Sequence, residues 1–284
     1  MIQWYITHTC NLACSNCLSF NNYRFKGHFS WEQSRLRTEK WSELLTSDDI
    51  TVIGGEPLLH PQIDQWVVEL RQLFPLCEDF KVCTNGTRLR YHEPSQFHRW
   101  FELGVILEIH SHSDQHWQTA FQDLDAVFNC YDYDIAVEKN HEENTEAHRL
   151  IINNQTAALI FKSDRFAQNS ILSDRSKLTF HRNDPLRAHR SCPIKDCHYV
   201  LNGFLYKCGP VTVGRDLVKQ FPVEESAAQL LNSYSAIDPF DTDVLNQLQK
   251  LNQPIPQCSL CPVFDDFKNQ VNIPLTPDQT KPII

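Results

Sequence analysis

The sequence predicts an α/β fold, with a parallel sheet in the first part of the chain and a smaller, cysteine-rich module after it. Two observations support this prediction. Six short β-type runs alternate with helical stretches along the first part, and five of the eleven cysteines lie in the last third of the 284 residues. The six runs are Ile2 to Thr7, Ile50 to Ile53, Phe80 to Thr84, Val105 to His110, Tyr133 to Val137 and Ala157 to Phe161.

Apolar residues at helical spacing separate these runs. Ile63, Trp66, Val67 and Leu70 keep an i, i+3, i+4 pattern after Pro61, which is typical of an amphipathic helix. Similar patterns precede the second strand and follow the fourth. Strand, helix and strand in succession imply right-handed βαβ units. Six strands predict a partial (β/α)6 barrel, like an incomplete TIM barrel, with functional residues at the carboxyl ends of the strands.

We expect two domains. The first covers residues 1–165, and the second covers 166–284 and contains a bridge, the cysteine-rich module and a tail rich in proline and polar residues. The chain shows no apolar run long enough for a membrane span and no signal-peptide pattern, so we expect a cytoplasmic protein without a membrane partner. The formal net charge of −9 makes nucleic acid an unlikely partner.

Three cysteines follow the first strand directly. Cys10, Cys14 and Cys17 have the spacing C-x3-C-x2-C. Because the cytosol keeps thiols reduced, metal binding is favoured over disulfides. Three thiolates at this spacing suit an iron-sulfur cluster that keeps one iron open to another ligand. Zinc requires a fourth protein ligand, for which His8 is the near candidate.

This spacing after the first strand resembles the signature of the radical S-adenosylmethionine (SAM) superfamily. Gly54-Gly55-Glu56, after the second strand, resembles the GGE motif with which that family binds the amino group of SAM. The glycines would let the backbone approach a ligand closely. The resemblance implies a [4Fe-4S] cluster whose open iron binds SAM, and reductive cleavage of SAM to a 5'-deoxyadenosyl radical that abstracts a substrate hydrogen.

The resemblance implies further SAM contacts. Asn85, at the end of the third strand, and Glu108, on the fourth, are similar in position to family residues that hold the methionyl and ribose parts of SAM. Asn16 stands where the family commonly has an aromatic residue beside adenine, so adenine would have to be recognised differently. Without the resemblance, Asn85 is a turn residue and Glu108 a partly buried carboxylate.

The later cysteines surround a predicted hairpin. Asn202-Gly203 is a typical two-residue hairpin turn flanked by strand-forming residues, so thiols on its two sides can approach each other. A C-x2-C pair fifty residues later would complete the site. The five cysteines are Cys192, Cys197, Cys208, Cys258 and Cys261.

The run from Cys192 to Cys208 resembles the opening of the SPASM and twitch modules of radical SAM enzymes. The resemblance implies a twitch-like domain with one auxiliary [4Fe-4S] cluster. Cys208, Cys258 and Cys261 take three ligand positions, and Cys192 and Cys197 are alternatives for the fourth. The same thiols also suit a structural zinc site.

The remaining cysteines, Cys77, Cys83 and Cys130, lack ligand spacing, and we expect them to be buried core thiols. His110 and His112, at the end of the fourth strand, are candidates for accepting a proton if the reaction is a dehydrogenation.

The resemblance predicts a radical SAM oxidoreductase or maturase-type enzyme that oxidatively modifies or dehydrogenates a peptide or a small metabolite. Because the first strand begins at Ile2, we expect no leader-binding domain before it, which favours a small substrate. An external reductant such as flavodoxin or ferredoxin would supply the electron. The alternatives are a radical SAM enzyme that modifies nucleotides or RNA, and a non-enzymatic zinc-binding adaptor.

Overall fold

A nine-stranded mixed sheet runs through the protein. Its structure is a computed structural model, which describes residues 1–14, 17–111, 114–140, 145–162, 171–173 and 177–263. In chain order, the sheet strands are β1 (Ile2–Tyr5), β2 (Asp49–Ile53), β3 (Asp79–Thr84), β4 (Val105–Ser111), β5 (Tyr133–Asn140), β6 (Thr145–Ile152) and β7 (Gln155–Lys162), then β10 (His198–Leu201) and β11 (Phe204–Tyr206); β8 (Ile171–Ser173) and β9 (Thr179–Phe180) form a separate pair.

Helices connect most of these strands. The described residues contain α1 (Trp31–Leu44), α2 (Ile63–Leu73), α3 (Pro94–Glu102), α4 (Asp114–Phe128), α5 (Pro185–Ser191), α6 (Gly209–Gln220), α7 (Glu225–Ser233) and α8 (Val244–Lys250). Among them, no helix has the length and apolar character needed to cross a bilayer.

The strand order is β11-β10-β1-β2-β3-β4-β7-β6-β5, and all neighbours from β10 to β7 are parallel. The sequence correctly predicts an α/β fold, and each of the six predicted strands is present. The expectation of six parallel βα units is wrong at its end, because β5, β6 and β7 form antiparallel pairs. Asn153 and Asn154, both at positive φ, make the tight turn from β6 to β7, which leaves no room for a crossover helix.

The two faces of the parallel strands differ in chemistry. Side chains alternate between faces along each strand, and one face packs against α1 to α4 in a continuous apolar core that contains Trp4, Val52, Val82 and Leu107. The opposite side, which we call the polar face, carries Gln3, Thr51, Lys81, Cys83, Glu108 and His110. These six polar side chains therefore lie on one side of the sheet.

The C-terminal part extends the same sheet. The predicted hairpin is confirmed, with Asn202 and Gly203 at positive φ between β10 and β11. Strand β10 pairs in parallel with β1, which places Tyr199 beside Gln3. The sheet thus crosses the predicted boundary between residues 165 and 166, and the division into two domains stays a prediction.

Candidate active site

The first cysteine loop forms the wall of a cavity at the carboxyl end of β1. Cys10, Cys14 and Cys17 all line this cavity, whose volume is about 260 Å³. Burial raises the pKa of Cys14 to about 12 and also raises the pKa of Cys10 and Cys17, and neighbouring thiols add to the increase at Cys10 and Cys14. Three half-buried thiols in one wall can together bind a cation. The metal would stabilise the thiolate form that burial disfavours. Ser15 and Asn16 lie outside the described residues.

The glycine pair after β2 holds this loop. Gly55 N donates a 2.7 Å hydrogen bond to Thr7 O. A Cβ on Gly55 would lie 2.5 Å from Thr9 O and 2.8 Å from Cys10 Cβ, and one on Gly54 would lie 2.6 Å from Thr7 Cγ2. Both glycines line the cavity, but the space that a side chain would need is filled by the cysteine loop. Close packing of the loop is therefore a sufficient reason for glycine here.

Glu56 lies under the cavity wall. Its side chain is fully buried, and its carboxylate accepts hydrogen bonds from Leu58 N at 3.0 Å, Thr84 Oγ1 at 2.7 Å and Asn85 N at 2.8 Å. Burial raises the pKa of Glu56, and these hydrogen bonds partly offset the increase. The carboxylate thus joins the ends of β2 and β3. Its predicted contact with SAM stays a prediction.

Asn85 connects the end of β3 with the cysteine loop. It lines the cavity, and its Nδ2 donates to Asn11 Oδ1 at 3.1 Å. Its Oδ1 accepts from the backbone N of Thr87 at 3.0 Å and from Thr87 Oγ1 at 2.6 Å. The side chain is therefore held in one orientation at the cavity edge.

Three polar side chains meet on the polar face beside this cavity. The sulfur of Cys83, a carboxylate oxygen of Glu108 and a ring nitrogen of His110 lie within 4.8 Å of one another. His110 Nε2 is 2.8 Å from Glu108 Oε1. Burial lowers the pKa of His110, but Cys83 and Glu108 outweigh it and raise that pKa to about 10. Burial of Glu108 is likewise outweighed by His110 and Lys81, which lower its pKa.

These positions revise several predictions. Cys83 is half-buried and lines the cavity, and Cys130 is exposed, so of the three expected core thiols only Cys77 is buried. His110 lines the cavity, and its role as a proton acceptor stays a prediction. Glu108 is not among the lining residues. His112 lies outside the described residues.

Four of the later cysteines line a second, smaller cavity of about 50 Å³. They are Cys192, Cys208, Cys258 and Cys261. Cys208 occupies the N-cap position of α6, and burial raises its pKa, with further increases from the other three thiols. Cys197 is not among the lining residues. Its pKa is raised by burial, and the charges acting on it are those of the amino terminus, Asp49 and Asp196.

A buried cation adjoins this second cavity. Lys207 is 3% exposed, lines the cavity, and donates from Nζ to Leu251 O at 2.7 Å. Burial lowers the pKa of Lys207, and the thiols of Cys258, Cys208 and Cys192 act in the opposite direction. A buried ammonium group beside four thiols fits an anionic thiolate centre, because the opposite charge reduces the cost of burying both.

Tyr199 lies between the two groups of thiols. Its ring lines the larger cavity, while a Cβ on Gly209, next to Cys208, would lie 3.1 Å from its hydroxyl. Burial raises the pKa of Tyr199, and the acidic neighbours that add to this effect include Cys17 and Cys208. One aromatic side chain therefore contacts the surroundings of both sites.

Solved structures similar to this chain include two of BtrN. BtrN in complex with AdoMet and 2-DOIA aligns with 40% of this chain and 46% of BtrN, at 23% identity and a TM-score of 0.33, so that match spans less than half of BtrN. BtrN in an open conformation aligns with 92% of this chain and 91% of BtrN, at 14% identity and a TM-score of 0.45. No family model and no curated protein match the chain. Similarity at this level identifies no activity.

Sequence reasoning missed Cys83, Lys207 and Tyr199. A signal existed for the first, because Lys81 and Cys83 alternate with apolar residues on a predicted strand, and alternation puts both on the same face. For Lys207 and Tyr199 the sequence offers no comparable signal, since their roles depend on which distant thiols they approach.

Proposed function

We propose that the protein is a radical SAM enzyme. The observation that supports this most strongly is the meeting of Cys10, Cys14 and Cys17 in one cavity at the carboxyl ends of parallel strands. Their spacing and their shared wall fit a [4Fe-4S] cluster with three protein ligands. When bound there, the cluster and SAM supply a 5'-deoxyadenosyl radical that abstracts a hydrogen atom from the substrate.

The chain's own residues hold this site in shape. Gly54 and Gly55 let the cysteine loop pack against the end of β2, and Glu56 joins β2 to β3 from below. Asn85 presents a fixed amide at the cavity edge, where it suits the polar methionyl end of SAM. We do not extend the proposed SAM contacts to Glu108, because its carboxylate is engaged by His110 and approached by Lys81.

We further propose an auxiliary [4Fe-4S] cluster held by Cys192, Cys208, Cys258 and Cys261 in a twitch-like module. The shared cavity of these four thiols and the adjoining ammonium of Lys207 support this assignment. It favours Cys192 over Cys197 as the fourth ligand. Tyr199 contacts the surroundings of both sites.

The proposal also covers the substrate, the reductant and the cellular location. The cavity on the polar face would hold a peptide side chain or a small metabolite beside Cys10 and Cys83. Oxidative modification or dehydrogenation suits two clusters, since one can accept the electron that the substrate loses. A flavodoxin or ferredoxin in the cytoplasm would reduce the SAM-binding cluster.

Anaerobic reconstitution with iron and sulfide tests the proposal. We expect about eight irons per chain, the content of two four-iron clusters, and 5'-deoxyadenosine after addition of SAM and dithionite. The matched control replaces Cys10, Cys14 and Cys17 with alanine, and it should keep about four irons and form no 5'-deoxyadenosine. A colourless protein that retains zinc at the later cysteines would favour the zinc-binding adaptor instead.

A further inference from the structure

Cys83, Glu108 and His110 lie close together on the polar face, and none of them is a ligand of the proposed clusters. Cys83 on β3 pairs in register with Glu108 on β4, and His110 follows two residues later on the same face. Neighbouring parallel strands therefore bring a thiol, a carboxylate and an imidazole together. Their ligand atoms all lie within 4.8 Å of one another.

We propose that Cys83, Glu108 and His110 form a site for a divalent metal ion, most suitably zinc, with an open coordination position that faces the cavity. Thiolate, imidazole and carboxylate are the three ligand types that zinc takes in proteins. A site with three protein ligands and an open fourth position is typical of catalytic rather than structural zinc.

The closest pair of side chains needs little movement to bind such an ion. Ligand atoms bound to one tetrahedral zinc lie roughly 3 to 4 Å apart, given bond lengths of about 2.0 to 2.3 Å. The hydrogen-bonded pair, His110 Nε2 and Glu108 Oε1, is 2.8 Å apart. Replacing the shared proton with a metal thus requires only a small increase in the distance between these two atoms. Phe161 stacks on His110 with ring centroids 5.1 Å apart, which limits movement of the imidazole.

The surrounding charges favour a cation. Lys81 approaches the site, with its Nζ 3.9 Å from Glu108 Oε2. The same ammonium lies closer to Asp49 Oδ1, at 3.2 Å, and to Asp79 Oδ2, at 3.5 Å. One positive charge is therefore shared by three carboxylates. A thiolate at Cys83 would add a further negative charge, and a divalent ion balances part of this excess.

The open position indicates what the ion would bind. Cys83 and His110 line the cavity that also contains Cys10, Cys14 and Cys17, whereas Glu108 lies behind them. An oxygen or nitrogen donor of a molecule in this cavity would complete the coordination. That ligand class rests on the proposed function, under which the molecule is the substrate. Coordination of its hydroxyl or amino group would lower the pKa of that group.

Metal content and coordination test the site. Protein reconstituted with iron and sulfide is equilibrated with zinc and washed with a weak chelator, and zinc and iron are counted in the same sample. The variants are C83S and H110Q. The control is C130S, which removes an exposed thiol that also lies beside an imidazole, 3.6 Å from His98 Nε2. The extended X-ray absorption fine structure of zinc in the unaltered protein is recorded separately.

We expect about one zinc per chain in the unaltered protein and in C130S. C83S and H110Q should lose it while their iron is unchanged. The fine structure should show one sulfur at about 2.3 Å and nitrogen or oxygen ligands at about 2.0 Å. The proposal would be overturned if C83S or H110Q retained zinc equally, if the fine structure showed several sulfurs, or if the unaltered protein held no zinc.

The fine structure decides the question even if a variant fails to fold, because it needs only the unaltered chain. The two metal counts also separate the two proposals. Zinc with one sulfur ligand in a sample that binds little iron would refute the cluster function and leave this site standing. Two clusters without zinc would support the cluster function and refute this site.

Discussion

The indole Nε1 of Trp41 donates a 2.7 Å hydrogen bond to the backbone carbonyl of Gly203. Trp41 is buried in α1, and Gly203 is in the turn between β10 and β11. A Cβ on Gly203 would lie 2.4 Å from Arg37 Cβ, so the helix and the turn are in direct contact. The first helix of the chain thereby fixes the hairpin that carries Tyr199.

We expect Trp41→Phe to destabilise the protein more than Trp4→Phe does. Both indoles are almost fully buried, but Trp4 Nε1 has no hydrogen-bond partner among the described residues. The difference should be about 1–3 kcal/mol, because Trp41→Phe leaves the Gly203 carbonyl without its donor. Urea unfolding of the two apoproteins measures it. Equal losses would mean that the hydrogen bond adds nothing to packing.

Gly55→Ala should remove the first cluster and spare the second. A Cβ would lie 2.5 Å from Thr9 O, so the cysteine loop has to move, and the iron content should fall from about eight to about four per chain. Gly104→Ala is the control, since its Cβ meets only the Arg71 side chain at 3.6 Å although φ is +73°. Full iron content in Gly55→Ala would show that the loop tolerates the displacement.

Cys192→Ser and Cys197→Ser should differ in iron content. Only Cys192 lines the cavity with Cys208, Cys258 and Cys261, so Cys192→Ser should lose about four irons and Cys197→Ser none. Iron analysis and electron paramagnetic resonance of the reduced proteins measure the difference. Loss of the auxiliary signal in Cys197→Ser alone would reverse the assignment.

Asp216 should make stability depend on pH in the acid range. His8, whose Nε2 lies 3.4 Å from Asp216 Oδ2, and Lys219, whose Nζ lies 2.9 Å from Oδ1, hold the pKa of Asp216 below its usual 3.8. Because the folded state favours the ionised form, this stabilisation is complete above 3.8 and is lost as pH falls through the lower, folded value.

The free energy of unfolding should therefore be lower in Asp216→Asn than in the unaltered apoprotein at pH 7, and the difference should disappear in acid. Asp132→Asn, at an exposed position, is the control. A difference that stayed constant down to the acid limit would show that Asp216 acts through packing and not through its charge.

Local features of the sequence determined much of this structure. Period-two alternation, helical spacing and the Asn202-Gly203 turn predicted the strands, α2 and the hairpin, because each depends on residues only a few positions apart. The C-x3-C-x2-C loop was equally local, since a short segment after one strand brings all three thiols to one wall. The same is true of the later C-x2-C pair.

Only the tertiary structure decided which distant residues meet. The antiparallel edge formed by β5 to β7, the proximity of Cys83 to His110, and the place of Cys192 rather than Cys197 beside Cys208 all depend on strand order and register. A shift of one residue in register moves every side chain to the opposite face. The spacing of residues in the sequence therefore does not determine which residues of other strands become their neighbours. The sequence shows which side chains can bind a metal, but the packing of the whole sheet decides which of them lie together.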